Sequence, residues 1–70
     1  MSEWPATKAR RALAALQRIV WRIVRTSGSN RTLRREGRPQ YRFAYHDSEE
    51  LGPVALAEMA KHTGLRPEDL

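Results

Sequence analysis

The chain has 70 residues, a net charge of +5 at pH 7 and no cysteine. This length suits a single small domain with one hydrophobic core, which we expect to span residues 1–70. The absence of cysteine excludes disulfides and a thiolate zinc finger, and no apolar stretch has the length of a signal peptide or a membrane span. We therefore expect a soluble, cytoplasmic protein that does not bind membranes.

The positive charge is concentrated in the first part of the chain. Residues 8–42 contain eleven of the 13 Lys and Arg residues and one acid, Glu36. Six of the eight acids follow in residues 43–70, where Lys61 and Arg66 are the only cations apart from the histidines. This asymmetry favours a surface that contacts phosphate groups, although a charged face that serves only solubility is the alternative.

A helix is predicted for residues 7–19. Its apolar residues recur at the spacing of one buried stripe, which consists of Ala9, Ala12, Leu13, Leu16, Ile19 and Val20. The pattern then changes to the two-residue period of a strand over residues 21–26. Alternation groups Trp21, Ile23 and Arg25 on one side of this strand, opposite Arg22, Val24 and Thr26.

Two further strands are predicted after short turns. Ser27-Gly28-Ser29 has turn chemistry, and residues 30–36 should return antiparallel with Leu33 as the apolar anchor. A turn at residues 37–39 leads to residues 40–45, in which three aromatic residues alternate with polar or small ones. The three strands should form an antiparallel meander.

A second helix is predicted to begin at Pro53 and end at Gly64 as a left-handed cap. Leu56, Met59 and Ala60 form its expected buried stripe, and residues 66–70 favour one further helical turn. The element order αβββα(α) predicts an α+β fold in which a three-stranded antiparallel sheet packs against helices.

With the elements in this order, three segments resemble the HicA family of toxins from bacterial type II toxin–antitoxin systems. They read WRIVRTSGSNRTLRREG, YRFAYHD and EELGPVALAEMAKHTGL. The resemblance implies a double-stranded-RNA-binding-domain-like fold, cleavage of mRNA that blocks translation, and neutralisation by a HicB antitoxin. A hetero-oligomer of the toxin with this antitoxin is one expected assembly.

Position 30 is where the chain departs from this family. The resemblance implies a Gly-Ser-His motif with a catalytic histidine, and the chain has Gly28-Ser29-Asn30. Val20 also stands where the family often has glycine before the tryptophan. An amide cannot exchange the proton of a ribose 2′-hydroxyl or a leaving 5′-oxygen, so the resemblance implies that Asn30 marks the catalytic position of an inactive His→Asn form. Taken alone, Asn30 also fits a residue that closes a turn.

The two histidines of the chain are further candidates for proton transfer. His46 follows the third predicted strand and is the second candidate catalytic residue, with an ordinary loop role as the alternative. His62 lies in the last turn of the second helix, where a cation interacts favourably with the helix dipole. No spacing of acids or histidines indicates a metal site, and we expect no cofactor.

Several cations are candidates for binding the RNA backbone, because recognition of this kind needs positive charge and little base contact. Together with the turn, the candidate RNA-binding residues are Gly28, Ser29, Arg25, Arg31, Arg34, Arg35, Lys8 and Arg11. Arg34 shares a side of its strand with Asn30, whereas Arg31 and Arg35 share the side of Leu33. Two alternatives to a ribonuclease remain open: a non-catalytic RNA- or DNA-binding module in which Asn30 is native, and a subunit that only docks its antitoxin.

Overall fold

Two helices and a three-stranded antiparallel sheet make up most of residues 3–70, the part of the chain that the computed structural model describes. Residues 1 and 2, which the expected domain includes, lie outside it. The elements in chain order are β1 (Thr7–Lys8), α1 (Ala9–Arg18), β2 (Arg22–Ser27), β3 (Asn30–Arg34), β4 (Tyr41–Phe43), β5 (Glu50–Leu51), α2 (Pro53–Thr63) and a 3₁₀ turn (Pro67–Asp69). The predicted α+β class is confirmed.

The main sheet has the order β2-β3-β4, so β3 is its central strand. Ser27 pairs with Asn30 next to the first turn, and Leu33 pairs with Ile23 on one side and with Tyr41 on the other. Leu33 and Phe43 are fully buried, which identifies the face of the sheet that packs on the helices. The opposite face, called the outer face below, carries Asn30 and Arg34 and is exposed to solvent.

A β-bulge in β2 changes which residues reach the outer face. Ile23 pairs with Leu33, but the next pair is Arg25 with Thr32, so Val24 is an extra residue opposite no single partner. The bulge shifts the alternation by one position. The sequence prediction that Arg25 shares a side with Trp21 and Ile23 is therefore wrong, and Arg25 lies on the outer face.

A second, two-stranded ribbon pairs β1 with β5 and was not predicted. Thr7 pairs with Leu51, and this early strand delays the start of α1 to Ala9. Beside the ribbon, the first helical amides donate to a loop, from Ala9 N–H to the Glu49 carbonyl (2.8 Å) and from Arg10 N–H to the Asp47 carbonyl (3.1 Å). The loop of residues 46–49 is thereby held against the start of α1, where helical amides otherwise lack partners.

The core lies between the inner face of the sheet and both helices. The predicted stripe of α1 is largely buried, with Ala15 added to it. Leu56 and Met59 supply α2's side of the core, and Leu65 folds back onto it as a buried residue. The indole of Trp21 is 1 % exposed and precedes β2 rather than belonging to it.

Val20 is an exception to the predicted stripe, because its side chain is 62 % exposed. Its φ of 69° lies in the left-handed region that β-branched residues rarely adopt. The Trp21 N–H donates to the Leu16 carbonyl and the Val20 N–H to the Gln17 carbonyl, the two hydrogen bonds of a Schellman cap. Valine thus occupies the cap position that favours glycine.

Gly64 ends α2 as predicted, with φ 77° and its N–H donating to the Ala60 carbonyl. A Cβ at this position would lie 2.9 Å from Nη2 of Arg38. Arg38 Nη1 also donates to the carbonyl of His62 at 3.3 Å. The guanidinium of Arg38 therefore sits at the C-terminus of α2, where it complements the negative end of the helix dipole.

Candidate functional site

The turn between β2 and β3 positions Asn30. Gly28 and Ser29 form a two-residue loop closed by the pair of Ser27 and Asn30, and Gly28 has φ 61°. A positive φ at the first central residue is typical of a type II′ turn, whose twist matches that of a hairpin. Asn30 is thus the first residue of the central strand and is exposed on the outer face.

Asn30 lines an open groove of about 310 Å³ on this face. The groove is called the Asn30 groove below, and its residues are Arg25, Ser27, Asn30, Thr32 and Arg42. They come from all three strands, since Thr32 pairs with Arg25 on one side and with Arg42 on the other. Two guanidinium groups therefore flank two hydroxyl groups and one amide.

This set of side chains is suited to holding an anion. Arginine forms paired hydrogen bonds with phosphate oxygens, and the hydroxyls of Ser27 and Thr32 donate or accept hydrogen bonds. The amide of Asn30 can also donate and accept, but it does not titrate. The Asn30 groove can therefore bind a phosphate or ribose, and it contains no group that transfers a proton near neutral pH.

His46 lies in a different groove, on the other side of the β2–β3 turn. This His46 groove has a volume of about 400 Å³, and its lining includes Arg10, Gly28, Ser29, Arg31, Tyr45 and His46. His46 is exposed, and its turn is closed by Glu49 N–H donating to the His46 carbonyl (2.9 Å). The two candidate catalytic positions, Asn30 and His46, do not line a common groove.

Arg31 is directed away from the outer face. Its Nη1 lies 2.8 Å from Oδ1 of Asp47, an ion-pair distance, although the two atoms lack the alignment of a hydrogen bond. The Arg31 side chain is 19 % exposed. Of the predicted RNA-binding residues, Arg31, Gly28 and Ser29 thus line the His46 groove and not the Asn30 groove.

A third groove, of about 410 Å³, lies at the far end of β2 and β3. Four arginines line this four-arginine groove, together with Val24, Glu36 and Gly37; they are Arg22, Arg34, Arg35 and Arg38. Arg34 and Arg35, both predicted as RNA-binding residues, line this groove and not the Asn30 groove. Arg34 nevertheless shares the outer face with Asn30, as alternation predicted.

The remaining candidates lie elsewhere. Lys8 is 3.5 Å from Oε1 of Glu50 and its Nζ donates to the Ser48 carbonyl, so it holds the β1–β5 ribbon. Arg11 is exposed on α1 and lines none of the three grooves.

His62 stacks on Tyr41, with ring centroids 6.2 Å apart. Burial, followed by repulsion from Tyr45, raises the pKa of Tyr41 to about 12.

Four arginines that line these grooves were not among the predicted site residues. Arg22 and Arg38 line the four-arginine groove, and the other two are Arg42 and Arg10. Arg42 completes the Asn30 groove. Its alternation with Tyr41 and Phe43 in the sequence already indicated that its side chain lies on the face opposite these aromatic residues. Arg10, rather than Arg11, lines the His46 groove. The helical pattern does not predict which of these two neighbours lines the groove, because this depends on the contact of α1 with residues 46–49.

No helix in residues 3–70 is long and apolar enough to cross a membrane. Within the same residues, no three His, Asp or Glu side chains form a group that could hold a metal ion.

Comparison with protein families supports the resemblance seen in the residues. Residues 9–65 match the family model described as the HicA toxin of bacterial toxin–antitoxin systems. No curated protein and no solved structure matched the chain. The matched segment covers both helices and all three strands of the main sheet, so the chain belongs to the HicA family of bacterial toxin–antitoxin toxins.

Proposed function

We propose that this chain has the fold and binding surface of a metal-independent endoribonuclease that cuts mRNA, and that Asn30 stands at the catalytic position and prevents efficient cleavage. The observation that carries the proposal is the position of Asn30. It begins the central strand, is exposed, and shares a groove with the cations Arg25 and Arg42. A histidine at this position would have a phosphate-binding site beside it.

The chemistry requires a proton carrier at that place. In metal-free RNA cleavage the ribose 2′-oxygen attacks phosphorus while the bond to the 5′-oxygen breaks. A base accepts the 2′-hydroxyl proton, and an acid supplies a proton to the leaving 5′-oxygen. Histidine performs either role near neutral pH, whereas asparagine performs neither. Arg25 and Arg42 would stabilise the negative charge that develops on the phosphate oxygens.

Cleavage of a long mRNA by the chain and by Asn30→His tests the proposal. Both proteins are assayed in the presence of chelator, with growth arrest after induction as the cellular readout. We expect Asn30→His to cut about 10²–10⁴-fold faster, the usual contribution of a general acid or base. Asn30→Gln is the matched control, because it keeps an amide of similar reach that cannot titrate, and it should remain inactive.

The outcome also separates the alternatives. If Asn30→His is as inactive as Asn30→Gln while both bind RNA, the catalytic proposal is wrong and a non-catalytic RNA-binding module remains. The same measurement tests His46, because a residual activity of the unchanged chain that disappears in His46→Gln would assign proton transfer to the His46 groove.

The antitoxin partner is proposed to be HicB-like and to cover the Asn30 groove. The charge of the outer face supports an acidic contact surface on such a partner, because complementary charge steers association. In a competition experiment, stoichiometric antitoxin should displace RNA from the chain. Simultaneous binding of both would contradict this arrangement and place the antitoxin on another surface.

A further inference from the structure

We propose that the four-arginine groove is a second RNA-binding site, which holds the phosphates of a substrate segment outside the Asn30 groove. The inference rests on the proposed function, because it assumes that RNA occupies the Asn30 groove. It assigns Arg22 and Arg34 to substrate affinity and not to the reaction itself.

The register of β2 and β3 brings two arginines face to face. Arg22 lies directly opposite Arg34 in the β2–β3 pairing, and both side chains are exposed. Like charges that face each other across a sheet repel and destabilise it. A bound polyanion removes this repulsion, because each phosphate attracts both guanidinium groups.

The arginines of the four-arginine groove form no ion pair within residues 3–70. The ion pairs of residues 3–70 involve Lys8, Arg31, Lys61 and Arg66. None of them includes an arginine of the four-arginine groove, and Glu36 is the one acid in its lining. Arg38 is held by the end of α2, and Nη1 of Arg35 also lies close to Gly64 there. This leaves Arg22 and Arg34 as exposed arginines of the groove that take part in none of these ion pairs.

The four-arginine groove is continuous with the Asn30 groove along the outer face of β3. Asn30, Thr32 and Arg34 alternate along the outer face of β3, so the two grooves are successive parts of one surface. Asn30 and Arg34 are four positions apart along β3, a distance of about 13 Å at the usual rise per residue. An RNA chain lying along β3 would therefore pass from one groove to the other, and only an RNA longer than the first site would reach the arginines.

Binding of two single-stranded RNA oligonucleotides, of three and twelve nucleotides, tests this inference as a function of salt. The variant is Arg22→Gln/Arg34→Gln. The matched control is Lys61→Gln/Arg66→Gln, which removes the same charge from residues that line none of the three grooves. Thermal unfolding of each protein verifies that it is folded.

The variant should bind the twelve-nucleotide RNA more weakly than the control. The slope of log affinity against log salt should fall by about 1.4, since each lost phosphate contact on a single strand contributes about 0.7. Binding of the three-nucleotide RNA should be the same in both proteins. Equal slopes for the twelve-nucleotide RNA would overturn the inference and leave the proposed function intact.

Two other outcomes would show that a different assumption is wrong, either that the chain binds RNA or that RNA is the ligand of the four-arginine groove. If the unchanged chain binds neither RNA, the proposed function itself fails and the inference fails with it. If the variant keeps its affinity for RNA but loses affinity for polyglutamate, the four-arginine groove docks an acidic protein, and the RNA assignment is overturned.

Discussion

The indole Nε1 of Trp21 donates a buried hydrogen bond of 3.0 Å to the backbone carbonyl of Thr63. This contact joins the residue before β2 to the last residue of α2, 42 positions later in the chain. The Thr63 hydroxyl also donates to the Met59 carbonyl at 2.8 Å and accepts from the Leu65 N–H at 3.2 Å. The end of α2 is therefore fixed to the sheet by an arrangement in which each buried polar group has a partner.

Trp21→Phe should destabilise the protein strongly. The substitution leaves the Thr63 carbonyl without its donor, which costs about 1–3 kcal/mol, and the smaller ring also loses packing. This is a large fraction of the 3–5 kcal/mol that a core of this size supplies. Urea unfolding measures the change, and a loss below about 0.5 kcal/mol would contradict the structural role of the bond.

Val20→Gly should stabilise the protein. A left-handed conformation costs a residue with a Cβ about 1–2 kcal/mol, and glycine escapes this cost at the expense of about 0.4–1 kcal/mol of added unfolded-state entropy. Because the Val20 side chain is 62 % exposed, little apolar burial is lost. We expect a net gain of about 0.5–1 kcal/mol in the free energy of unfolding.

The same substitution in α2 is the control for Val20. Val54 is 83 % exposed and lies in the first turn of α2 with a helical backbone, so Val54→Gly should destabilise the protein through the poor helix propensity of glycine. Opposite signs at the two sites are expected in thermal unfolding. If both variants lose stability, the cap at Val20 is not strained.

A charge exchange tests the repulsion between Arg22 and Arg34. Arg22→Glu and Arg34→Glu each convert the like-charged pair into an ion pair, which should stabilise the unliganded protein by about 0.2–1 kcal/mol at low salt. The double variant places two carboxylates opposite each other, and these repel as the two arginines do. Its gain in stability should therefore be smaller than the sum of the two single gains. Additive gains would show that the two side chains do not interact.

Tyr41 should make stability depend on pH in the alkaline range. Burial raises its pKa to about 12 in the folded chain, above the ordinary value of 10. The unfolded chain therefore releases this proton first. The contribution of Tyr41 to stability is complete below pH 10 and is lost as the pH rises from 10 to 12.

Comparison with Tyr41→Phe isolates this effect. The variant has no phenol at position 41, so its free energy of unfolding should fall less steeply between pH 10 and 12. The difference should be on the order of 1–2 kcal/mol, because one unit of pKa corresponds to about 1.4 kcal/mol and the ring is half-buried. Parallel pH profiles of the two proteins would contradict the raised pKa.

Local patterns in the sequence determined much of the fold. The apolar stripe of α1, the alternating aromatic residues of β4, and the Pro53 and Gly64 limits of α2 each depend on neighbours a few positions away. The Gly28 turn is local in the same sense and places Asn30 at the start of the central strand. Periodicity and turn chemistry report such features directly, and the family segments in the sequence extend over the same elements.

The tertiary structure decided how the functional side chains are grouped. The bulge at Val24 moves Arg25 to the outer face, and a bulge is a mismatch between two strands that neither strand reveals alone. The β1–β5 ribbon joins two-residue segments more than 40 positions apart and positions residues 46–49, which places His46 in a different groove from Asn30. Contacts distant in sequence have no periodic signal, so residue patterns indicate which side chains are available and only the packed chain determines which of them meet.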